Sequence, residues 1–225
     1  MSGRASRLHC AMAVAAMGVL TACGDGSGGL PDAGLMMRDA SIASKHLGAA
    51  HIELLSEGTV PGFPLARLEV DATARDGGSG SGTAVTAQGQ TIRFVQADGA
   101  LFTVGPDGAR HPLSAGSGVP NPSGMLGDGG LSRLLGELQD PKTVARQNVD
   151  GIDVFRIEAV VPAETVTALL PAAHTDATLT SYIRVRGVHV PVRTVLAFPG
   201  GGTLDVRIAR VTAPSDGVTG QGNPK

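Results

Sequence analysis

From Ala66 to Val211 the chain returns repeatedly to a two-residue alternation of apolar and polar side chains, and that period admits little besides sheet with one face turned away from water. Leu68, Val70 and Ala72 alternate with Arg67, Glu69 and Asp71, Phe155, Ile157 and Ala159 with Arg156 and Glu158, and Leu204, Val206 and Ile208 with Asp205 and Arg207. Gln88-Gly89, Asp98-Gly99, Asp107-Gly108 and Asp150-Gly151 punctuate the segments, and turns of this kind join antiparallel neighbours. About nine such strands are expected, the first over 51–57. The run Asp76 to Gly82, with its four Gly and two Ser, reads as a mobile hairpin tip.

Three segments change the period to that of a helix. Pro31-Asp32 marks a start, with Asp32 as N-cap, and Leu35, Met36, Ile42, Ala43 and Leu47 fall on one stripe while Arg38, Asp39, Ser41 and Lys45 face away. Leu131 to Leu138 is a short helix stopping at Asp140-Pro141, and a third runs from Pro162 to Pro171. Ser114 to Gly130 is a long loop rich in Gly, Pro, Ser and Asn, a length usually tied to function or disorder. Strands apolar on one face need a cover. Either the sheet closes as a barrel, or helices lie across a strongly curved sheet. Interruption of the strands by helices at three places favours the second, an α+β fold.

The N-terminus carries a separate message. Arg4 and Arg7 supply charge, Cys10 to Leu20 an apolar run, and Thr21-Ala22 small residues ahead of Cys23-Gly24. This is the pattern of a secretory signal, too short for a bilayer span of roughly 20 apolar residues. Leu20 three positions before a cysteine matches the bacterial lipobox, so Cys23 is expected to be lipid-modified and to become the mature N-terminus. The organisation read from this is a signal peptide over 1–22, a lipidated tether over 23–34, one domain over 35–212 and a disordered tail over 213–225. The expected location is the extracytoplasmic face of the cell membrane, held by the lipid anchor. Only Cys10 and Cys23 are present, so processing leaves no thiol for a disulfide, a metal or catalysis.

Catalytic signatures are poor. His46, His51, His111, His174 and His189 are scattered without metal-ligand spacing, no Gly-x-Ser-x-Gly elbow occurs, and Gly127-Asp128-Gly129-Gly130 lacks the Lys-Ser/Thr of a phosphate loop. No enzyme activity, cofactor or metal is expected. A formal net charge of -2 argues against nucleic acid as a partner. With no Trp, one Tyr and five Phe, the interior must be built from short aliphatic side chains. The inward positions by period are Leu68, Val70, Ile92, Phe94, Val104, Phe155, Ile157, Ile183, Val206 and Ile208. Facing them from the helices are Leu131, Leu134, Leu135, Leu138, Val166, Leu169 and Leu170. Periodicity alone leaves two readings open: a filled core in a surface scaffold or partner-binding lipoprotein, or a hydrophobic cavity that binds acylated lipid.

Several pieces in order resemble the LprG/LppX family of mycobacterial and related actinobacterial lipoproteins. They are Ser44-Lys45-His46 leading to Ala50-His51-Ile52-Glu53-Leu54, Gly58-Thr59-Val60-Pro61-Gly62, Asn121-Pro122-Ser123, and Gly130-Leu131-Ser132-Arg133-Leu134-Leu135 running into Asp140-Pro141-Lys142. Gly151-Ile152-Asp153-Val154-Phe155-Arg156 and Leu169-Leu170-Pro171 complete the set. The resemblance implies a half-barrel sheet with helices on its concave side around a hydrophobic cavity, and a monomer that carries acylated lipids or glycolipids across the envelope. A membrane lipid transporter is the implied exchange partner. The Asp76 to Gly82 tip and Leu126-Gly127-Asp128-Gly129 depart from the family pattern, and the ligand is not implied.

Overall fold

The computed structural model describes residues 29–74, 78–113 and 119–212; the signal segment, Cys23 and the C-terminal tail lie outside them. Eleven antiparallel strands form one curved open sheet. The strands are β1 (Ala49–Glu57), β2 (Leu65–Thr73), β3 (Ser79–Thr86), β4 (Thr91–Ala97), β5 (Ala100–Val104), β6 (Arg110–Pro112), β7 (Gln139–Val149), β8 (Ile152–Val161), β9 (Ala177–Arg184), β10 (Pro191–Ala197) and β11 (Thr203–Thr212). Their spatial order is β6-β5-β4-β3-β2-β1-β11-β10-β9-β8-β7. Two meanders therefore meet at one long-range seam, β1 against β11, where Leu54 faces Val206 and Ile52 faces Ile208. Asp98-Gly99 and Asp150-Gly151 have positive φ at both residues, the conformation that two-residue hairpin turns require.

Helix α1 (Ala33–Lys45) precedes β1, α2 (Leu131–Gly136) precedes β7, and α3 (Ala163–Leu169) links β8 to β9. Asp32 caps α1 by accepting from the Leu35 amide at 2.8 Å, as expected, and the helix begins inside the stretch assigned to the tether. The apolar face of the sheet carries the core, including Leu68, Val70, Phe94, Ile157, Leu179 and Ile183. The opposite face is charged. There Arg193 sits opposite Arg207, an arrangement of like charges that would be destabilising alone, and Asp205 lies between them, accepting from Arg193 Nε at 3.0 Å. That carboxylate holds the Arg193 guanidinium above its ordinary pKa. Arg67 bridges Glu53 and Glu69 in the same manner.

Four expectations are corrected. Of the Asp76 to Gly82 tip, Asp76 and Gly77 lie outside the described residues, and the part from Ser79 is strand: β3 starts there, and Gly80 is buried. A Cβ on Gly80 would lie 2.7 Å from Pro122 Cβ, and one on Gly78 would collide with the Ser123 side chain. The alternate glycines thus leave room for the 119–126 loop to lie on the sheet. The exposed Arg110–Pro112 segment adds β6 on the outer edge. Asp140-Pro141 does not separate a helix from a later strand, because α2 ends at Gly136 and β7 already runs from Gln139, taking up Pro141 at a register shift on an edge strand, where proline is tolerated. Lastly, the stripe assigned to α1 holds only in part: Met36 and Leu47 are buried and Ala43 packs against the core as expected, but Leu35 and Ile42 are exposed, and the helix buries Ala33, Met37, Ala40 and Ser44 in their place, because α1 packs closely on α2 and small side chains permit that approach.

A candidate lipid-binding pocket

Over the seam, the sheet and its cover do not fill the space between them. The floor is Ile52 and Leu54 of β1, Leu196 of β10 and Leu204, Val206 and Ile208 of β11; Leu131 and Leu134 of α2 form one wall, and Ala168, Leu169 and Leu170 at the end of α3 form another. Phe63, from the β1–β2 connection, closes one end, and Pro120, Asn121, Gly124, Met125 and Leu126 come from the loop ahead of α2. The space measures about 310 Å³, at the lower end of ligand pockets. Val206 points inward by register yet is only partly buried, since what lies before it is empty space.

The loop is held by polar contacts beneath it. Gln96 projects inward from β4 and is 1% exposed, a costly place for an amide unless its hydrogen bonds are made. It accepts from the Ser123 amide at 3.0 Å and donates to Ser123 Oγ at 2.8 Å. Ser123 Oγ in turn donates to Asn121 Oδ1 at 3.0 Å, and the Gly124 amide donates to the same oxygen at 3.3 Å. Among the described residues Asn121 is the only polar side chain lining the pocket. Gly130 admits no Cβ because one would collide with the Met125 carbonyl, so this glycine serves the packing of the loop on α2. Ser132 Oγ donates to the Gly127 carbonyl, closing the same turn.

Six of the residues singled out by sequence line the pocket: Leu131, Leu134, Leu169, Leu170, Val206 and Ile208. The rest do not. Leu68, Val70, Phe94, Leu135, Ile157, Val166 and Ile183 are packed core, Ile92 and Phe155 pack against it, Val104 is on β5 near the sheet edge, and Leu138 lines a second cleft beside α1. Sequence reasoning missed Ile52, Leu54, Leu196 and Leu204, whose alternation was visible, and Phe63, Met125 and Leu126, which sit in connections without a period. Among the described residues no three His, Cys, Asp or Glu groups gather as a metal site. His51 and His189 each stand beside one carboxylate, Asp71 at 2.9 Å and Asp39 at 3.7 Å.

The profile of one lipoprotein family, LppX_LprAFG, matches residues 32–213, spanning both meanders, the seam and all three helices. The chain belongs to the LppX_LprAFG lipoprotein family. The lipoarabinomannan carrier protein LprG of Mycobacterium tuberculosis is 27% identical over 223 residues, covering 92% of this chain and 94% of that one. Its counterpart in Mycolicibacterium smegmatis is 30% identical over 155 residues, 65% of each chain. Two solved structures share the fold: LprF from Mycobacterium bovis, with a TM-score of 0.72 at 19% identity over 83% of this chain and 95% of that one, and LppX from Mycobacterium tuberculosis, with 0.65 at 21% over 81% and 96%. The family and the curved antiparallel sheet expected from sequence are thereby confirmed.

Proposed function

We propose that this chain is a non-enzymatic carrier that takes an acyl chain of a lipid or glycolipid into the pocket over the β1–β11 seam and moves it within the cell envelope. The observation that carries the reading is the pocket itself: space beside a partly uncovered Val206, lined mostly by aliphatic side chains, with Asn121 the one polar side chain among the described residues that line it. Relatives whose names describe a lipoarabinomannan carrier support the ligand class. A methylene occupies about the ~30 Å³ of a water molecule, so about 310 Å³ accepts on the order of ten methylenes. At ~0.8 kcal/mol per methylene, burial yields roughly 8 kcal/mol before the costs of immobilisation, which are of similar size. Such a complex is reversible, as a carrier requires. The head group would remain at the mouth, near Asn121.

Cys23, outside the described residues, is proposed as the acylated anchor that keeps the carrier at the extracytoplasmic face of the membrane, since two or more chains hold a protein there stably. A membrane transporter would then be the partner that exchanges lipid with it. The reading is tested by native mass spectrometry of the protein purified from membranes, with a one-to-one adduct of acyl-lipid mass expected. A protein that retains no lipid, even after incubation with lipid vesicles, would instead be a scaffold with an unused interior.

A further inference from the structure

Helix α1 is apolar at two opposite poles. One packs on the body of the protein through Met36, Met37 and Ala40. The other carries Leu35 and Ile42, two turns apart on one stripe, at 59% and 52% exposure. Of the four exposed large apolar side chains among the described residues these are the two that share one element, the others being Val188 at 66% and Val144 at 36%. Together Leu35 and Ile42 leave an aliphatic stripe on the outer pole of the helix. Basic groups interleave with it: Arg38 has no acidic partner among the described residues, and Lys45, three positions beyond Ile42, meets only Asp128, itself 75% exposed.

We propose that this outer face of α1 seats on a bilayer containing anionic lipid, with Leu35 and Ile42 entering the headgroup boundary and Arg38 and Lys45 meeting lipid phosphates. Alternating aliphatic and basic side chains on one helix face suit such an interface. Two aliphatic side chains bury far less than the roughly 1,000 Å² of a specific protein interface. They suffice when a tether supplies a high local concentration of membrane. Family membership makes the chain a lipoprotein, and Cys23 precedes Ala33 by ten positions, a span of at most ~35 Å, so α1, the first element of the described residues, lies within reach of the proposed anchor. Ser41 Oγ donates to the Ser132 carbonyl at 2.6 Å and Lys45 reaches Asp128 at 2.8 Å, which places α2 and the loop ahead of it alongside the docked helix. The inference rests on the lipoprotein assignment and is independent of what the pocket holds.

Cys10 and Cys23 are the only cysteines, so Ile42→Cys and, on the charged face of β9, Thr178→Cys each give the mature acylated protein one labelling site. With a small fluorophore there and nitroxide-headgroup lipid in phosphatidylcholine vesicles containing phosphatidylglycerol, position 42 should be quenched at least ~3-fold more than position 178, as interfacial insertion requires. The difference should shrink in phosphatidylcholine alone and with Arg38→Glu. Equal quenching at the two positions overturns the proposal, as does protection of position 42 only on addition of an envelope protein. A preference that ignores both phosphatidylglycerol and Arg38→Glu overturns the anionic-lipid assignment.

Discussion

Val206→Trp is the most direct perturbation of the pocket. Val206 lies midway along β11, opposite Leu54 and Thr194, with the empty space in front of it. Exchanging an isopropyl group for an indole adds about seven heavy atoms, and because fused-ring carbons pack more tightly than methylenes these take up ~90 Å³, a little under a third of the about 310 Å³. About three lost methylene sites at ~0.8 kcal/mol would amount to ~2.4 kcal/mol. An acyl chain can recoup part of this by sliding toward the mouth, so ~1.5 kcal/mol, on the order of tenfold in Kd, is the expected loss. Displacement of a fluorescent long-chain fatty acid measures it, and a thermal melt run in parallel should move little because the ring enters vacant space. Phe94→Trp is the contrasting case: Phe94 is 2% exposed and off the pocket, so overpacking should cost ~1–3 kcal/mol of stability and leave affinity alone. If Val206→Trp bound the fatty acid as tightly as the parent at an unchanged melting temperature, the pocket would not be the lipid site.

Gln96→Leu leaves the half-buried Ser123 amide without its acceptor, a loss of ~1–2 kcal/mol; hydrogen exchange should accelerate by ~10-fold over 121–126 and stay unchanged on β8, and uniform acceleration would contradict a local role. Gly82→Ala drives a Cβ into the Glu69 carbonyl and to 2.9 Å from Val70 Cα, so the denaturation midpoint should fall by the equivalent of ~1–3 kcal/mol, whereas Gly129→Ala, with nothing within 4 Å, should be close to neutral. Asp153 is held below the usual carboxylate pKa first by its hydrogen bond from Arg146 at 2.9 Å and then by Asn148. Its stabilisation is present above the unfolded value of ~3.9 and lost as pH falls through the lower folded value. The small stability deficit of Asp153→Asn should therefore be level from pH 5 to 8 and vanish in stronger acid; a deficit that widens in acid would reverse the sign of the argument.

Much of the sheet was legible because alternation is a local property: β2, β8 and β11 read directly, and the Asp-Gly turns fixed the hairpins between neighbours. Of β3 only the part from Thr83 was legible; Ser79 to Gly82 was not, since glycine disfavours strands, and the value of Gly80 emerges only from Pro122, far along the chain. The same blindness affected α1, where hydrophobicity selected Leu35 and Ile42 over Ala40 and Ser44. Close packing on α2 calls for small side chains, a requirement set by the partner helix. The pocket was half legible. Leucines at helical spacing on α2 and at the end of α3 announced its cover. Its floor was split between β1 and β11, elements whose pairing no local pattern announces, and a period cannot separate an inward residue that is packed, such as Ile157, from one facing empty space, such as Val206.

The β1–β11 seam also sets an order of events. It pairs Ala49–Glu57 with Thr203–Thr212, so the last strand among the described residues joins the two meanders, and pairing at that sequence separation is slow. Until then β1 and β11 present bare edges of the kind that recruit other chains. Because the pocket floor is made largely from these two strands, neither meander alone contains the proposed lipid site. A chain cut short before β11 would leave unpaired edges prone to aggregation, and on the proposed reading a lipid can be taken up only after β1 and β11 have paired.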